Sequence, residues 1–241
     1  MLKFTKAQAL GNDFVIIEGQ PVTSTLIQRI AHRRLGVGCD QVIFYQKQSE
    51  AIVNVQFYNA DGTEAGACGN GSRALALLLC QGEHIVLQTR DRELSCTVKD
   101  GMVTVDMGAC RIDRSHQHGY LDSSFWILAD IGNPHRVAFV DQLDCYDLQA
   151  VAEPYPYENV SLAQMTEQGI KLVTWERGAG YTGACGTAAC AVAAAAIHFG
   201  QTSPVLLQQQ GGDLTISLEN DRILMQGTAE VVFSGEFLFS V

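Results

Sequence analysis

Two short segments about half a chain length apart carry the residues best suited to chemistry. One reads Ala67-Cys68-Gly69-Asn70-Gly71-Ser72-Arg73-Ala74, the other Ala184-Cys185-Gly186-Thr187-Ala188-Ala189-Cys190-Ala191. Each puts a Cys-Gly pair at the front of a small-residue, Ala/Leu-rich helical pattern. A cysteine at a helix N-terminus is a place to make a thiolate, and a glycine after it lets backbone and ligand come close. Two such thiols in a duplicated chain suit proton removal from one face of a carbon and proton return to the other. That is the chemistry of a racemase or epimerase that uses no cofactor. Backbone N–H groups at Gly69-Asn70 and Gly186-Thr187 would meet the carboxylate beside the reacting carbon. The same helix ends are expected to lower both thiol pKa values. Two buried cysteines at ordinary helix starts are the competing reading. Burial habits favour it for either cysteine alone, but it leaves the repetition unexplained.

Composition narrows the setting. The 241 residues suffice for one large domain or two ordinary ones. A hydrophobic share of 47% with 17% charged residues is that of a globular chain with a sizeable core. The net charge of −10 argues against broad nucleic-acid or anionic-membrane binding. With 23 glycines against 5 prolines, many tight turns in a strand-rich fold are expected. The N-terminus has no apolar signal region, and the longest small-apolar run, Ala188 to Ile197, is too short to span a bilayer. A cytoplasmic protein with free thiols is therefore expected. The 8 cysteines include no Cys-x-x-Cys pair, which speaks against a zinc ribbon or thioredoxin motif, and no metal site is assigned. Cys39, Cys80, Cys96, Cys110, Cys145 and Cys190 are expected to be small buried hydrophobes.

The elements that must position the thiols follow from periodicity and turn residues. In the first half, strands are expected at 14–17, 42–45 and 52–58, with a helix over 25–34. The helix after Cys68 should run to about Cys80. Further strands fall at 84–90, 94–98 and 102–107, with Asp100-Gly101 as a hairpin turn. The second half repeats the plan: strands at 126–129 and 136–140 around Gly132-Asn133-Pro134-His135, a helix over 144–153, and strands at 160–163 and 170–175. The helix after Cys185 should end at Gly200. Strands near 204–209, 213–218, 222–226, 229–233 and 236–241 complete it. Gly11-Asn12-Asp13 and Gly132-Asn133-Pro134 hold similar places in the two halves, which supports duplication. The fold class is α/β (α+β): two pseudo-symmetric halves, each a curved, mostly antiparallel sheet around a central helix. The first half spans 1–114, joined by a C-terminal strand over 230–241, and the second spans 115–229. The polar stretch Arg111 to Ser123 reads as the linker.

Three other features compete for chemistry. Gly178-Ala179-Gly180-Tyr181-Thr182-Gly183 matches the Gly-x-Gly-x-x-Gly dinucleotide fingerprint, but no acidic residue lies about 20 residues on to meet a ribose. It reads instead as a tight loop into the Cys185 helix. His135, in a turn, would tune a thiol if near one. Glu176-Arg177 is an ordinary charged strand end, or the pair that meets the amine and carboxylate of a zwitterion.

These segments together resemble the diaminopimelate epimerase family over nearly the whole chain. The resemblance rests on Leu10-Gly11-Asn12-Asp13-Phe14, Arg34-Leu35-Gly36-Val37-Gly38-Cys39-Asp40-Gln41, and Phe57-Tyr58-Asn59-Ala60-Asp61-Gly62 leading to Ala67-Cys68-Gly69-Asn70-Gly71. It extends to Gly132-Asn133-Pro134-His135 and to Glu176-Arg177-Gly178-Ala179-Gly180 leading to Ala184-Cys185-Gly186-Thr187. The resemblance implies that Cys68 and Cys185 are the two acid/base residues and that no cofactor takes part. It implies that Gly69, Asn70, Gly186 and Thr187 hold the reacting carboxylate, while Asn59, Asn159 and Arg177 hold the distal end of the substrate. Asn12, Gln41, Asn133 and Glu176 would make other polar contacts, and His135 and Glu176 would adjust the thiol pKa values. Departures from the family pattern are Ala9 for a usual glycine, Cys39 where an aromatic is common, and a loose motif around Asn159. Phe233 stands where some relatives carry a tyrosine at a dimer contact. Segments near 46–51, 111–124 and 141–158 are trimmed.

The implied function is epimerisation of LL- to meso-diaminopimelate, in lysine and peptidoglycan precursor synthesis. The partner is a small amino-acid substrate, with no nucleic acid and no membrane, and a homodimer is possible. Two alternatives use the same fold: a racemase of histidine or proline type, and a non-catalytic small-molecule binding protein.

Overall fold

The computed structural model describes residues 2–113 and 126–238. The chain divides into two compact units, Met1–Val105 with Gly227–Val241, and Asp106–Gln226.

The first unit begins with a strand the sequence reading did not single out, Leu2–Ala9. Its alternation is masked because Lys6 takes an inward position, where its ammonium pairs with Asp13. This strand runs antiparallel to Asn12–Glu18 on one side and to Glu230–Phe237 on the other. Leu10 and Gly11 turn the first hairpin at φ 56° and 80°. Two positive φ values give the turn a twist that matches its strands, at a steric cost for the leucine. Asn12–Glu18 then lies parallel to Gln41–Lys47. Parallel neighbours need a crossover, and helix α1 (Ser24–Ala31) provides it, capped by Thr23 and burying Ile27 and Ile30. Gln41–Lys47 pairs antiparallel with Ile52–Asn59, which in turn lies parallel to His84–Gln88. The second crossover is helix α2 (Gly69–Leu79). Glu93–Lys99 and Met102–Gly108 finish the sheet as antiparallel neighbours, joined by Asp100-Gly101 at positive φ. Strands from both ends of this series pack on α2, so the sheet curves around it.

The second unit repeats the order of pairings. Arg111–Asp113 and Trp126–Asp130 are antiparallel, as are Trp126–Asp130 and Pro134–Phe139. Pro134–Phe139 lies parallel to Asn159–Thr166 across helix α3 (Leu148–Ala152). Asn159–Thr166 pairs antiparallel with Gly169–Glu176, which lies parallel to Val205–Gln209 across helix α4 (Gly186–His198). Gly212–Glu219 and Arg222–Thr228 follow as antiparallel neighbours. Helix α4 is buried on every side from Ala188 to Ala196. A helix apolar all round belongs at the centre of a core, and its alanines leave room for the strands. The expected fold class, with two pseudo-symmetric halves each wrapping a helix, is the one the pairings show.

Several expectations are corrected. The helix expected over 144–153 is a 3₁₀ turn, Leu143–Cys145, followed by α3. Asp147 separates them because its carboxylate caps Gln149 and Ala150. The strands expected at 229–233 and 236–241 are one strand, Glu230–Phe237. Gly235 does not break it: a Cβ there would lie 2.9 Å from Cζ of Phe4, so the glycine makes room for that ring. Residues 239–241 lie outside the described residues. So does most of the expected linker, of which Arg111–Asp113 is a strand. Among the six cysteines expected inside, Cys39, Cys96 and Cys190 are buried, Cys80 and Cys110 are half-buried, and Cys145 is exposed. Among the described residues no helix is long and apolar enough to cross a membrane.

Candidate active site

In the first unit the thiol is placed by the start of α2. Cys68 is the N-cap, in extended conformation, and its Sγ accepts the N–H of Gly71 at 3.4 Å. Gly69 and Asn70 are the first two helical residues, where N–H groups point out along the axis rather than to a carbonyl one turn back. Gly71 is needed for packing: a Cβ there would meet the rings of Phe57 and Phe14 and the end of Ile43 at 2.9–3.3 Å. Asn12, at the strand start after the first hairpin, reaches this helix end. Its Oδ1 lies 3.9 Å from Sγ of Cys68 and 3.5 Å from Nδ2 of Asn70. Gln41 and Asn59 face each other across adjacent strands and share a hydrogen bond of 3.0 Å from Nε2 to Oδ1. The other atom of the Gln41 amide, Oε1, is buried without a protein partner. Asn59 also donates to Thr63 at 3.1 Å.

The second unit builds an equivalent arrangement with different chemistry. Cys185 is the N-cap of α4 and is 5% exposed. Its Sγ lies 3.4 Å from Oγ1 of Thr187, which accepts Nδ2 of Asn133 at 3.3 Å. The Thr187 hydroxyl and, after it, the Ala188 N–H, equivalent to that of Gly71, draw the Cys185 pKa down. Burial outweighs them, and Glu176, by its charge and as acceptor of the S–H, adds to the rise, so the thiol is pushed well above its ordinary value. The expectation that the helix ends lower both thiols therefore fails for Cys185. Desolvation is the larger effect there, and the nearby carboxylate opposes the helix terminus. Glu176 is itself held by Thr182, whose hydroxyl donates at 2.6 Å.

His135, Asn159 and Arg177 form the flank of this second cluster. His135 is fully buried, with Nε2 3.2 Å from Oδ1 of Asn133 and 3.5 Å from Nδ2 of Asn159. Burial pushes its pKa down to about 4, with the charge of Asp130 opposing the fall. The ring is thus neutral near pH 7; because Asn133 turns its NH₂ to Thr187, its Oδ1 faces the ring and Nε2–H donates to it. Asn159 also donates to the Pro134 carbonyl at 3.3 Å and accepts the Arg177 N–H at 2.9 Å. The preceding residue, Glu158, is gripped by Arg136 through two bonds of 2.6 and 3.0 Å. The guanidinium of Arg136 stacks 4.0 Å from the Tyr155 ring centroid. Gly178 and Gly180, both at positive φ, turn the chain into the strand Gly180–Thr182, which pairs back on Thr174–Glu176. The glycine-rich fingerprint is therefore a hairpin turn that delivers Thr182 to Glu176. Among the described residues no three His, Cys, Asp or Glu side chains group in a way that could hold a metal.

Sequence reasoning missed three contributors. Thr182 was hidden inside the glycine-rich stretch. Gln209 takes the backbone N–H of Cys185 on its Oε1 at 2.8 Å, from a strand 24 residues on; no local signal marks it. Asp40 holds Asn12 at 2.8 Å, though it adjoins Gln41 in a recognisable block.

The fold and the site define a class first. A phenazine biosynthesis protein of the PhzF family from Bacillus anthracis shares the fold, with a TM-score of 0.77, 18% identity, and 99% of each chain covered. The chain is thus a duplicated α/β protein of that fold, with a thiol at the start of each central helix. Sequence comparison narrows the class. The family model for diaminopimelate epimerase matches residues 4–112 and 127–232. The diaminopimelate epimerase of Erythrobacter litoralis is 36% identical over 263 residues, spanning 98% of this chain and 97% of that protein. That of Sphingopyxis alaskensis is 38% identical over 267 residues, spanning 97% and 96%. The chain belongs to the diaminopimelate epimerase family.

Proposed function

We propose that this enzyme is an isomerase that converts LL-diaminopimelate to meso-diaminopimelate through two cysteines, in lysine and peptidoglycan precursor synthesis. The observation that carries the reading is the repeated helix-start thiol, set in two units with the same order of strand pairings. One cysteine thiolate takes the α-proton and becomes a thiol. The electron pair left on carbon is stabilised by the adjacent carboxylate, held on backbone N–H groups of Gly69-Asn70 and Gly186-Thr187. The other thiol gives its proton to the opposite face and becomes the thiolate, so the two roles exchange with each turnover. Burial and Glu176 favour the thiol form of Cys185, which suits it to the donating role in the resting enzyme. Asn59, Asn159 and Arg177 hold the distal amino-acid centre. Asn12, Gln41, Asn133 and Glu176 complete the polar contacts. His135 acts on the site through Asn133, which bonds Thr187 beside Cys185.

A reducing compartment keeps such thiols free, which supports a cytoplasmic location. A homodimer is supported by the exposed apolar run Val231, Val232 and Phe233 on an outer strand.

The test is solvent deuterium incorporation at the α-carbon of LL-diaminopimelate. Exchange well above that of a Cys68→Ala, Cys185→Ala double variant is expected. Absence of exchange over that control refutes the proposal.

A further inference from the structure

The Asn12 amide has a different neighbour at each end. Nδ2 lies 2.8 Å from Oδ2 of Asp40. Oδ1 faces the Cys68 sulfur and Nδ2 of Asn70. A carboxylate only accepts hydrogen bonds, so the NH₂ end must face Asp40, leaving the carbonyl for Cys68. The helix side favours the same orientation through a longer contact of 3.5 Å. Arg73 is fully buried and only donates, and its Nη2 meets Oδ1 of Asn70 at 3.0 Å. The NH₂ of Asn70 therefore points to Asn12.

Asp40 is itself fixed in place. Its Oδ1 accepts Nη2 of Arg33 at 2.8 Å, and its Oδ2 also accepts the Asp13 N–H at 3.1 Å. Asp13 holds Arg33 by two further bonds of 2.9 and 3.0 Å and pairs with Lys6. The charged groups around Asn12 and Cys68 are thus Lys6, Asp13, Arg33 and Asp40 on one side and Arg73 on α2. The nearby Cys39 thiol is pushed up to about 12 by burial and stays neutral.

We propose that Asp40 is a positioning residue for Cys68, fixing the Asn12 amide with its carbonyl toward the sulfur. The sulfur then has an acceptor for its S–H in Asn12 and a donor for its thiolate in the Gly71 N–H. A group that must both take and return a proton needs both. With Asp40 in place, Asn12 cannot turn its NH₂ to the thiolate without setting its carbonyl against the carboxylate. This inference rests on the proton-transfer role proposed for Cys68, but its test does not require turnover.

The experiment is iodoacetamide alkylation of Cys68, resolved by peptide mass spectrometry across a pH series. It compares the wild type, Asp40→Ala, Asn12→Ala and the double variant. In Asp40→Ala the amide keeps only its longer 3.5 Å contact with Asn70 and can turn its NH₂ to the thiolate, so the alkylation midpoint is expected to fall by roughly one pH unit. In the Asn12→Ala background the same substitution is expected to leave the midpoint where it was. An equal fall in both backgrounds would show a through-space charge effect, and no fall with Asn12 present would show no orienting role; either overturns the proposal. Asp40→Ser serves in place of Asp40→Ala if thermal unfolding shows that variant to be damaged. Wild-type enzyme without deuterium exchange would refute the epimerase reading while leaving the alkylation result to be judged by itself.

Discussion

Mild acid should weaken the second unit through a single side chain, His135. The ring is 0% exposed, and its Nδ1 is buried without a protein partner. A proton on the ring would therefore place an uncompensated charge inside the unit. Burial lowers the pKa from 6.5 to about 4, with Asp130 opposing. The unfolded chain takes up the proton near the ordinary value, so between these two pKa values it binds more protons than the folded one. Stability from this group is thus complete above pH 6.5 and is lost as the pH falls toward 4. Lowering the pH from 7 to about 4.5 should cost about 2 kcal/mol. The window is clear of Asp13 in the other unit, whose pKa is lowered to about 2, with Arg33 and Lys6 outweighing its burial. Both tryptophans, Trp126 and Trp175, lie in the second unit. Urea unfolding followed by tryptophan fluorescence therefore reports on the unit that holds His135. The wild-type midpoint should fall on acidification, and His135→Gln, which cannot titrate, should lose most of that fall. An equal fall in the variant would refute the reasoning.

Two other outcomes follow from the site. Glu176→Gln removes the charge that adds to burial in raising the Cys185 pKa, so alkylation of Cys185 at fixed alkaline pH should quicken; an unchanged peptide-resolved rate would count against that electrostatic role. Gly71→Ala would force a methyl against Phe57 and Ile43 at 2.9–3.0 Å. Overpacking of this kind costs about 1–3 kcal/mol, so thermal unfolding of the first unit should move down, and an unchanged midpoint would show that the core yields freely.

Much of the architecture was legible because its signals are local. Asp100-Gly101 forms a positive-φ hairpin, as that dipeptide requires. The starts of α2 and α4 at Gly69 and Gly186 follow from cysteine-glycine pairs ahead of helical stretches. Where the reading failed, a tertiary partner had changed the meaning of a residue. The strand Leu2–Ala9 was not singled out, because Lys6 interrupts its apolar face and sits inward only through its pairing with Asp13. The strands expected at 229–233 and 236–241 run together through Gly235, which makes room for the Phe4 ring. Asp144 to Glu153 had helical composition, and the cap at Asp147 divided it.

By itself, the sequence determined where the thiols stand along the chain, which small residues surround them, and that the plan occurs twice. These depend on contacts within a turn or two, which residue order encodes. Tertiary structure decided the environment of each sulfur. Burial first, and then the Glu176 carboxylate from the neighbouring strand, raise Cys185, while a neutral amide held by Asp40 faces Cys68. It also decided that His135 is neutral and buried and that Gln209 grips the backbone at Cys185. Protonation depends on desolvation and on charges brought from distant strands. The two Cys-Gly motifs read alike in the sequence, and folding surrounds their sulfurs with different partners.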